Sequence, residues 1–507
     1  MPEGAVERQE DRVAKTPRFT RQGKTADGSG EAPGQGTQDP AQLKHPVDQG
    51  LPPLKLFTTG LQHVAAMYAG VVAPPLVVGA AVGLSPTELA FLTGASLFLA
   101  GIVTLFQTLG FWRIGSRLPF VNGATFAAVA PMLAISKSSG PEDTLPVIFG
   151  ATMVAAALGF VIAPFFSKLI RFFPPVVTGS VITLIGVSLM PVAFNWAQGG
   201  NADDPHYGDY KNIGMAGLTL VIVLVLRRFT TGFFKQIAVL IGLVIGTLIA
   251  IPVGITDFTA VTESDPIGFP TPFHFGAPQF AVPAIISMCV VMLVTMTEST
   301  ADMLALGEVV DRPADQRVIA GGLRADMLGS FLSPFFNAFM CSAFAQNIGL
   351  VAMTRIRSRF VVATGGGILI LLGLSPMAAG LIASVPQPVL GGAGVVLFGS
   401  VAASGVQTLL KADLGKDNNV LIVGTALAVG LIPIAAPEFY HAFPESAKII
   451  LDSGISTGCV TAVVLNLVFN HLGRARRDEE VVAHPMEPGE GISYERDPGP
   501  APDRAPA

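Results

Sequence analysis

From about residue 56 to residue 470 this chain is a succession of apolar runs separated by short polar joints. No fold that keeps its surface in water can hide so much apolar chain. Stretches at 87–112, 144–167, 213–226, 236–254 and 451–470 stand out, to be set against a hydrocarbon layer of about 30 Å. Half the residues are hydrophobic, only 13% are charged, and the mean hydropathy is +0.58. The expected fold class is an all-α polytopic membrane protein. The first 50 residues and the tail from about Arg474 are instead rich in Gly, Pro and charge, and such segments bury too little apolar surface to order themselves. They are expected to be disordered tails over 1–52 and 473–507. No basic–apolar–cleavage-site pattern opens the sequence, so no signal peptide is expected.

Fourteen spans are expected, near 56–80, 87–112, 118–136, 144–167, 174–193, 213–226, 236–254, 281–303, 318–337, 339–353, 360–382, 388–407, 419–435 and 451–470. Charge placement tests that count, because basic residues concentrate in cytoplasmic loops. Bases follow the even spans: Arg113 and Arg117, Lys168 and Arg171, Arg227, Arg228 and Lys235, Arg312 and Arg317. The series continues through Arg355, Arg357 and Arg359, Lys411 and Lys416, then Arg474, Arg476 and Arg477. Loops after odd spans carry acids instead, including Asp203, Asp204, Asp209, Asp257, Glu263 and Asp265. An even number of crossings with both termini in the cytoplasm of a cell membrane follows.

The chain also matches itself. Pro175-Val176-Val177-Thr178-Gly179-Ser180 aligns with Pro388-Val389-Leu390-Gly391-Gly392-Ala393 at an offset of 213, and Gly186 then falls on Gly399. The two segments lie seven crossings apart, so the halves run in opposite directions. A weaker match at an offset of 218 sets Ala124-Thr125-Phe126-Ala127 against Ser342-Ala343-Phe344-Ala345. These are the two least helix-like spans, the third and tenth. Carriers built as inverted repeats bind substrate where corresponding broken segments meet, and non-helical backbone at that depth must line a cavity or be buried in protein.

Polar residues inside the apolar runs mark the candidate site. Glu298 lies within span 8, where a charged side chain costs at least ~2.5–3.5 kcal/mol on insertion scales. A carboxylate there suits the ring N–H donors of a planar heterocycle; the structural alternative is a hydrogen bond to a neighbouring helix. Asp302 follows one helical turn later on the same face, which makes Glu298 and Asp302 a candidate proton-coupling pair. Asp326 in span 9 serves coupling or structure equally well. Gln346 and Asn347 each offer an amide donor and acceptor, matching the alternating C=O and N–H edge of an oxidised purine. Phe126 is either a stacking platform or ordinary packing. Gln62 and His63 in span 1 fit a supporting hydrogen bond better than direct contact. Arg355, after Thr354, is an interface anchor or a gating residue. Glu308, Asp311 and Asp315 fall by a loop and read as solvated, while His206 and His274 have no partners at metal spacing. Cys289, Cys341 and Cys459 sit in apolar segments and read as packing residues rather than a disulfide set or metal site. No metal, cofactor, nucleic-acid partner or enzymatic nucleophile–base set is indicated.

The run Gln346-Asn347-Ile348-Gly349-Leu350-Val351-Ala352-Met353-Thr354-Arg355 resembles the signature of the nucleobase–ascorbate transporter family: Gln, Glu or Pro, then Asn, any residue, Gly, four residues, Thr, and often Arg or Lys. Gln62-His63 with Ala66-Met67 resembles the family's motif in the first span. Glu298-Ser299-Thr300-Ala301-Asp302 resembles its acidic motif in span 8, and Asp326 matches an acid in span 9. The resemblance spans about 50–472. It implies a seven-plus-seven inverted repeat with short strands in spans 3 and 10, a core domain (53–172 and 281–385) and a gate domain (173–280 and 386–472). It further implies that Glu298 and Gln346 hold the base, that backbone groups at Phe126 and Ala345 assist, that Gly349 belongs to the signature, and that the protein is a homodimer and proton symporter. Gln at the first signature position implies urate or xanthine; a uracil or other nucleobase permease, or an anion carrier of the same fold, is the alternative.

Overall fold

A computed structural model of the chain describes residues 45–262 and 265–472. Most of both expected tails, with Arg474, Arg476 and Arg477, lies outside the described residues, as do Glu263 and the Arg171 side chain. The fold is almost wholly helical. Among the described residues nine helices are long and apolar enough to cross a membrane, or ten when the bent pair Arg359–Gly373 and Pro376–Ala383 is one span. The outward faces carry exposed apolar side chains, such as Leu218, Val221, Leu224, Val244 and Leu248. The interior is apolar as well, with Phe120, Phe149, Phe166, Phe339 and Phe398 fully buried. A helix that is apolar all round belongs in lipid or in a large core, and these helices meet both. The chain is a multi-pass membrane protein.

Local chemistry sets the helix ends. Ser85 and Glu88 form a reciprocal capping box at the start of Pro86–Leu109, which satisfies amides that have no intrahelical partner. Asp315 accepts from the amides of Arg317 and Val318 to open Gln316–Leu332. Between helices, small residues allow backbone contact. A Cβ on Gly101 would stand 2.5 Å from the Gly366 carbonyl oxygen, and one on Gly186 would stand 2.3 Å from the Ala402 amide nitrogen. Close approach of this kind replaces the hydrophobic drive that lipid does not supply.

Several boundaries differ from those read in the sequence. The helix carrying Glu298 runs Val282–Val309, past the expected end at 303, and places exposed Glu308 on its last turns. The helix expected over 213–226 occupies Tyr210–Phe229, with Tyr210, Lys211 and Asn212 added at its start and Arg227, Arg228 and Phe229 at its end. The stretch 360–382 breaks at Leu374-Ser375 and turns by 85°, because Ser375 caps a new helix with Pro376 in its first turn. On the polar side of residue 53, a short turn at Pro46–Asp48 is tied down rather than loose. Asp48 pairs with Arg312 at 3.0 Å and Arg359 at 2.7 Å, and Ser358 Oγ donates to the Gln49 carbonyl at 2.6 Å.

Two three-residue strands interrupt the helices, β1 (Asn122–Ala124) and β2 (Cys341–Ala343). They pair antiparallel with Asn122 opposite Ala343 and Ala124 opposite Cys341. The Thr125 amide donates to Met340 O at 2.9 Å and the Phe344 amide to Val121 O at 3.0 Å, so the ladder has a local two-fold axis. That axis relates Asn122 to Cys341 and Phe126 to Ala345, a shift of 219 residues rather than the 218 of the sequence match. Backbone register decides the correspondence, and the likeness of Phe126 to Phe344 does not.

Candidate substrate-binding site

Inside a membrane every strand edge needs a partner, and here side-chain hydroxyls supply several. Thr104 Oγ1 accepts from the Asn122 amide at 3.0 Å and donates to its carbonyl at 3.4 Å. Ser330 Oγ treats Cys341 the same way, at 2.9 and 3.3 Å. Ser299 Oγ accepts from the Ala343 amide at 3.4 Å, which ties β2 to the helix that carries Glu298.

Each strand leads into a helix. After β1 comes the turn Phe126–Ala128, with Thr125 accepting from the Ala127 amide, then the helix Val129–Ser138. After β2 comes the helix Ala345–Thr354, which has no side-chain cap. Its first amides point away from the helix without intrahelical acceptors and carry the positive end of its dipole. Ala345 and Gln346 are exposed at this start, and no hydrogen bond engages the Gln346 side chain among the described residues.

The Val282–Val309 helix packs against β2, the Phe126–Ala128 turn and the Ala345–Thr354 helix. Its Glu298 is half-buried, and no donor reaches its carboxylate among the described residues. Asp302, one turn on, is half-buried, with Oδ2 buried and unpartnered among the described residues. Both Glu298 and Asp326 lie within electrostatic range of Asp302, so the three acids are one cluster. Asp326 differs from the other two. It is fully buried, and its Oδ1 accepts from Asn122 Nδ2 at 2.5 Å and Gln107 Nε2 at 2.6 Å, with the Ser299 hydroxyl also close by.

Gln107 and Asn122 are the residues that sequence reasoning passed over. Gln107 Nε2 also donates to Gly322 O at 2.8 Å, and its Oε1 accepts from the Ser116 amide at 3.1 Å. The signal was present, since Gln107 is a polar side chain inside the apolar run 87–112, as Gln62 is in its own run. Asn122 was visible too, but nothing local in the sequence says that Asp326 is its partner.

Asn347 and His63 sit together and are buried. Asn347 Nδ2 donates to Pro119 O at 2.6 Å, which turns Oδ1 toward His63 Nδ1 at 2.5 Å. His63 therefore donates through Nδ1, leaving Nε2 without a partner among the described residues. Both edges of the Asn347 amide are occupied, so it locks the Ala345–Thr354 helix to the first span. Gln62 beside it is half-buried with no hydrogen bond among the described residues. The Phe126 ring is buried and meets Phe398 edge-on, centroids 5.9 Å apart, and Phe398 in turn lies 6.4 Å from Trp196. Phe344 is buried against Gly70 and Gly123, where an added Cβ would stand 2.8 and 2.7 Å from its ring. At the far end of the signature, Thr354 Oγ1 donates to Leu350 O at 2.8 Å and accepts from the Ile356 amide at 3.3 Å. Arg355 closes the helix at φ 56°, exposed. Gly349 is exposed, and the nearest group to a Cβ there would be Gln236 Nε2 at 3.7 Å.

A partly buried acid cluster, an uncapped helix start and an exposed amide side chain meet at a two-stranded ladder inside a helical membrane protein. A family model described as a permease family matches residues 54–439. The chain belongs to the nucleobase–ascorbate transporter family. Among its relatives, the xanthine permease of Bacillus subtilis (strain 168) is 40% identical over 426 residues, covering 84% of this chain and 96% of that one. The uric acid transporter UacT of Escherichia coli (strain K12) is 41% identical over 426 residues, covering 84% and 88%. Solved structures share the fold at much lower identity. The transmembrane domain of the cyanobacterial bicarbonate transporter BicA has a TM-score of 0.52 at 16% identity, covering 80% of this chain and 96% of that one. The murine anion transporter Slc26a9 in its inward-facing state has a TM-score of 0.56 at 12% identity, covering 82% and 68%. As a member of the nucleobase–ascorbate transporter family, the chain is a membrane transporter and not an enzyme.

Proposed function

We propose that this transporter imports an oxidised purine, urate or xanthine, together with a proton, by moving a core domain against a gate domain. The observation that carries the reading is the Glu298 carboxylate. It sits in a membrane-crossing helix with no donor among the described residues, on the helix that packs against the exposed start of Ala345–Thr354. A purine N–H supplies the missing donor, and the Gln346 amide pairs with the adjoining C=O and N–H edge. Backbone amides at Phe126 and Ala345, related by the ladder's two-fold axis, complete the contact. Relatives named as xanthine and uric acid permeases support the substrate class. The acid cluster of Glu298, Asp302 and Asp326 carries the coupled proton. Asn347, expected at the purine's edge, has both edges of its amide taken by His63 and Pro119 and is assigned instead to holding the signature helix, while Gln62, Gly349, Thr354 and Arg355 support the site.

The proposed architecture has fourteen spans in a seven-plus-seven inverted repeat. The nine long helices and the bent pair supply ten. The shorter Phe126–Ser138 and Ala238–Val253, with Gln316–Leu332 and Ala345–Thr354, supply the other four. The core comprises 53–172 and 281–385, and the gate 173–280 and 386–472. The protein is proposed to sit in the plasma membrane as a homodimer with both termini in the cytoplasm, as the loop arginines indicate.

A potential of 100 mV supplies ~2.3 kcal/mol per charge moved, and ~1.4 kcal/mol is a tenfold ratio. One proton with neutral xanthine thus supports roughly fifty-fold accumulation from the potential alone. Urate crosses as an anion, so one proton makes its transfer electroneutral and leaves the pH gradient as the driver. The test is uptake of radiolabelled urate and xanthine in cells lacking their own purine permeases, with and without a protonophore. Saturable uptake that collapses with the proton gradient is expected. Absence of uptake of either purine, with the protein in the membrane, overturns the reading.

A further inference from the structure

Where Pro86–Leu109 ends and Gln316–Leu332 begins, five arginines line one cavity of about 740 Å³: Arg113, Arg117, Arg312, Arg317 and Arg324. No acid lines it. Arg312 is paired with Asp48, and the other four have no ion-pair partner among the described residues. Arg324 also donates to the Arg113 carbonyl at 3.3 Å. Like charges lining one cavity repel one another, and an anion seated among them relieves that repulsion.

The loop that presents them is built with care. Trp112 and Arg117 both hold positive φ, 48° and 55°, which side chains adopt only under constraint. The constraint is visible: the Gly115 amide donates to Gly321 O at 2.8 Å, and the Ser116 amide donates to Gln107 Oε1 at 3.1 Å. Trp112 is 82% exposed, with the Arg113 guanidinium 5.7 Å from its ring centroid. Tryptophan at the end of a membrane helix belongs at headgroup level. Beyond Pro164 on the cavity wall, Phe165, Val161 and Leu158 expose apolar side chains toward the lipid.

We propose that this cavity seats the phosphate headgroup of an anionic phospholipid, with an acyl chain lying along Val161 and Phe165. A free phosphate shares the headgroup chemistry, but it makes no use of the tryptophan or the apolar wall. Basic pockets between membrane helices are suited to such headgroups. The seated lipid also steadies Ser116, and through it the Gln107 that holds Asp326.

The experiment uses the full-length protein in nanodiscs of phosphatidylcholine, with or without phosphatidylglycerol. Native mass spectrometry counts retained anionic lipid, and thermal unfolding reports stabilisation. Phosphatidylglycerol should be retained and should raise the thermal midpoint. Retention should weaken about fivefold per arginine removed in the double variant Arg113→Gln/Arg317→Gln. It should stay at the wild-type level in Arg227→Gln/Arg228→Gln, which alters arginines at the end of another helix. Equal retention in the cavity variant overturns the proposal. So does an equal rise with inorganic phosphate in phosphatidylcholine alone, which would make the cavity a soluble-anion site. If the double variant does not fold, the wild type decides: its phosphatidylglycerol-dependent rise must shrink as salt increases, and a rise indifferent to salt overturns the assignment.

Discussion

The three acids of the cluster have different surroundings, and the proposed reading gives them different tasks. Asp326 is held by Gln107 and Asn122, whereas Glu298 has no donor among the described residues. A group without a partner is available to bind something else. Glu298→Gln keeps size and hydrogen-bonding capacity but loses the charge that a purine N–H seeks, so radiolabelled purine uptake should vanish while the protein elutes as a folded species. Retained transport would remove Glu298 from the site. At Gln346 the change to Glu withdraws the amide donor and should reduce uptake of urate and xanthine. Competition by unlabelled bases reads the outcome, and an unchanged order of competitors would deny Gln346 its part in selection. Glu298, Asp326, Gln346, Asn347 and His63 were legible in the sequence as candidates because each is a strongly polar side chain within a largely apolar run. Their pairing was not. That Asn347 spends both edges on His63 and Pro119, and that Asp326 depends on Asn122 some 204 residues away, follows from three-dimensional contacts that no local pattern encodes.

Among the elements, apolar runs announced most helices, and their ends were misread where capping chemistry overrode hydropathy. The turn at Ser375-Pro376 is of that kind; Val282–Val309 instead runs on past Asp302 through Leu304, Ala305 and Leu306 without a side-chain cap. The same limit applies to glycine, whose role depends on what faces it. Gly101 and Gly367 look alike in sequence, yet a Cβ on Gly101 would strike the Gly366 carbonyl at 2.5 Å, while one on Gly367 meets nothing within 4 Å. Gly101→Val should therefore destabilise the protein by about 1–3 kcal/mol or more through overpacking and cut the yield of monodisperse material. Gly367→Ala should leave it unchanged. Size-exclusion profiles of both variants, run together, check the contrast.

For the whole molecule, the segment just before the first span acts as a clasp. Asp48 joins Arg312, beyond the Val282–Val309 helix, to Arg359, which also donates to the Thr108 and Leu109 carbonyls at 2.9 Å. Asp48→Asn should lower stability by about 1 kcal/mol or less per pair lost, since both pairs are partly exposed. The difference from wild type in thermal unfolding should narrow in high salt, and equal midpoints at low salt would show the clasp to be idle. The ladder at the centre has a different bearing on the molecule, one that concerns its history. Because β1 and β2 are each other's backbone partners, a residue inserted in either strand would flip its side chains to the opposite face and carry the following helix out of line. No second change in the same strand repairs that, since the error lies in its relation to the other. The two strands can only lengthen or shorten in concert, while the side chains at the helix starts remain free to vary one at a time. Descendants of such a protein are therefore expected to differ in cargo far more readily than in the spacing of their central segments.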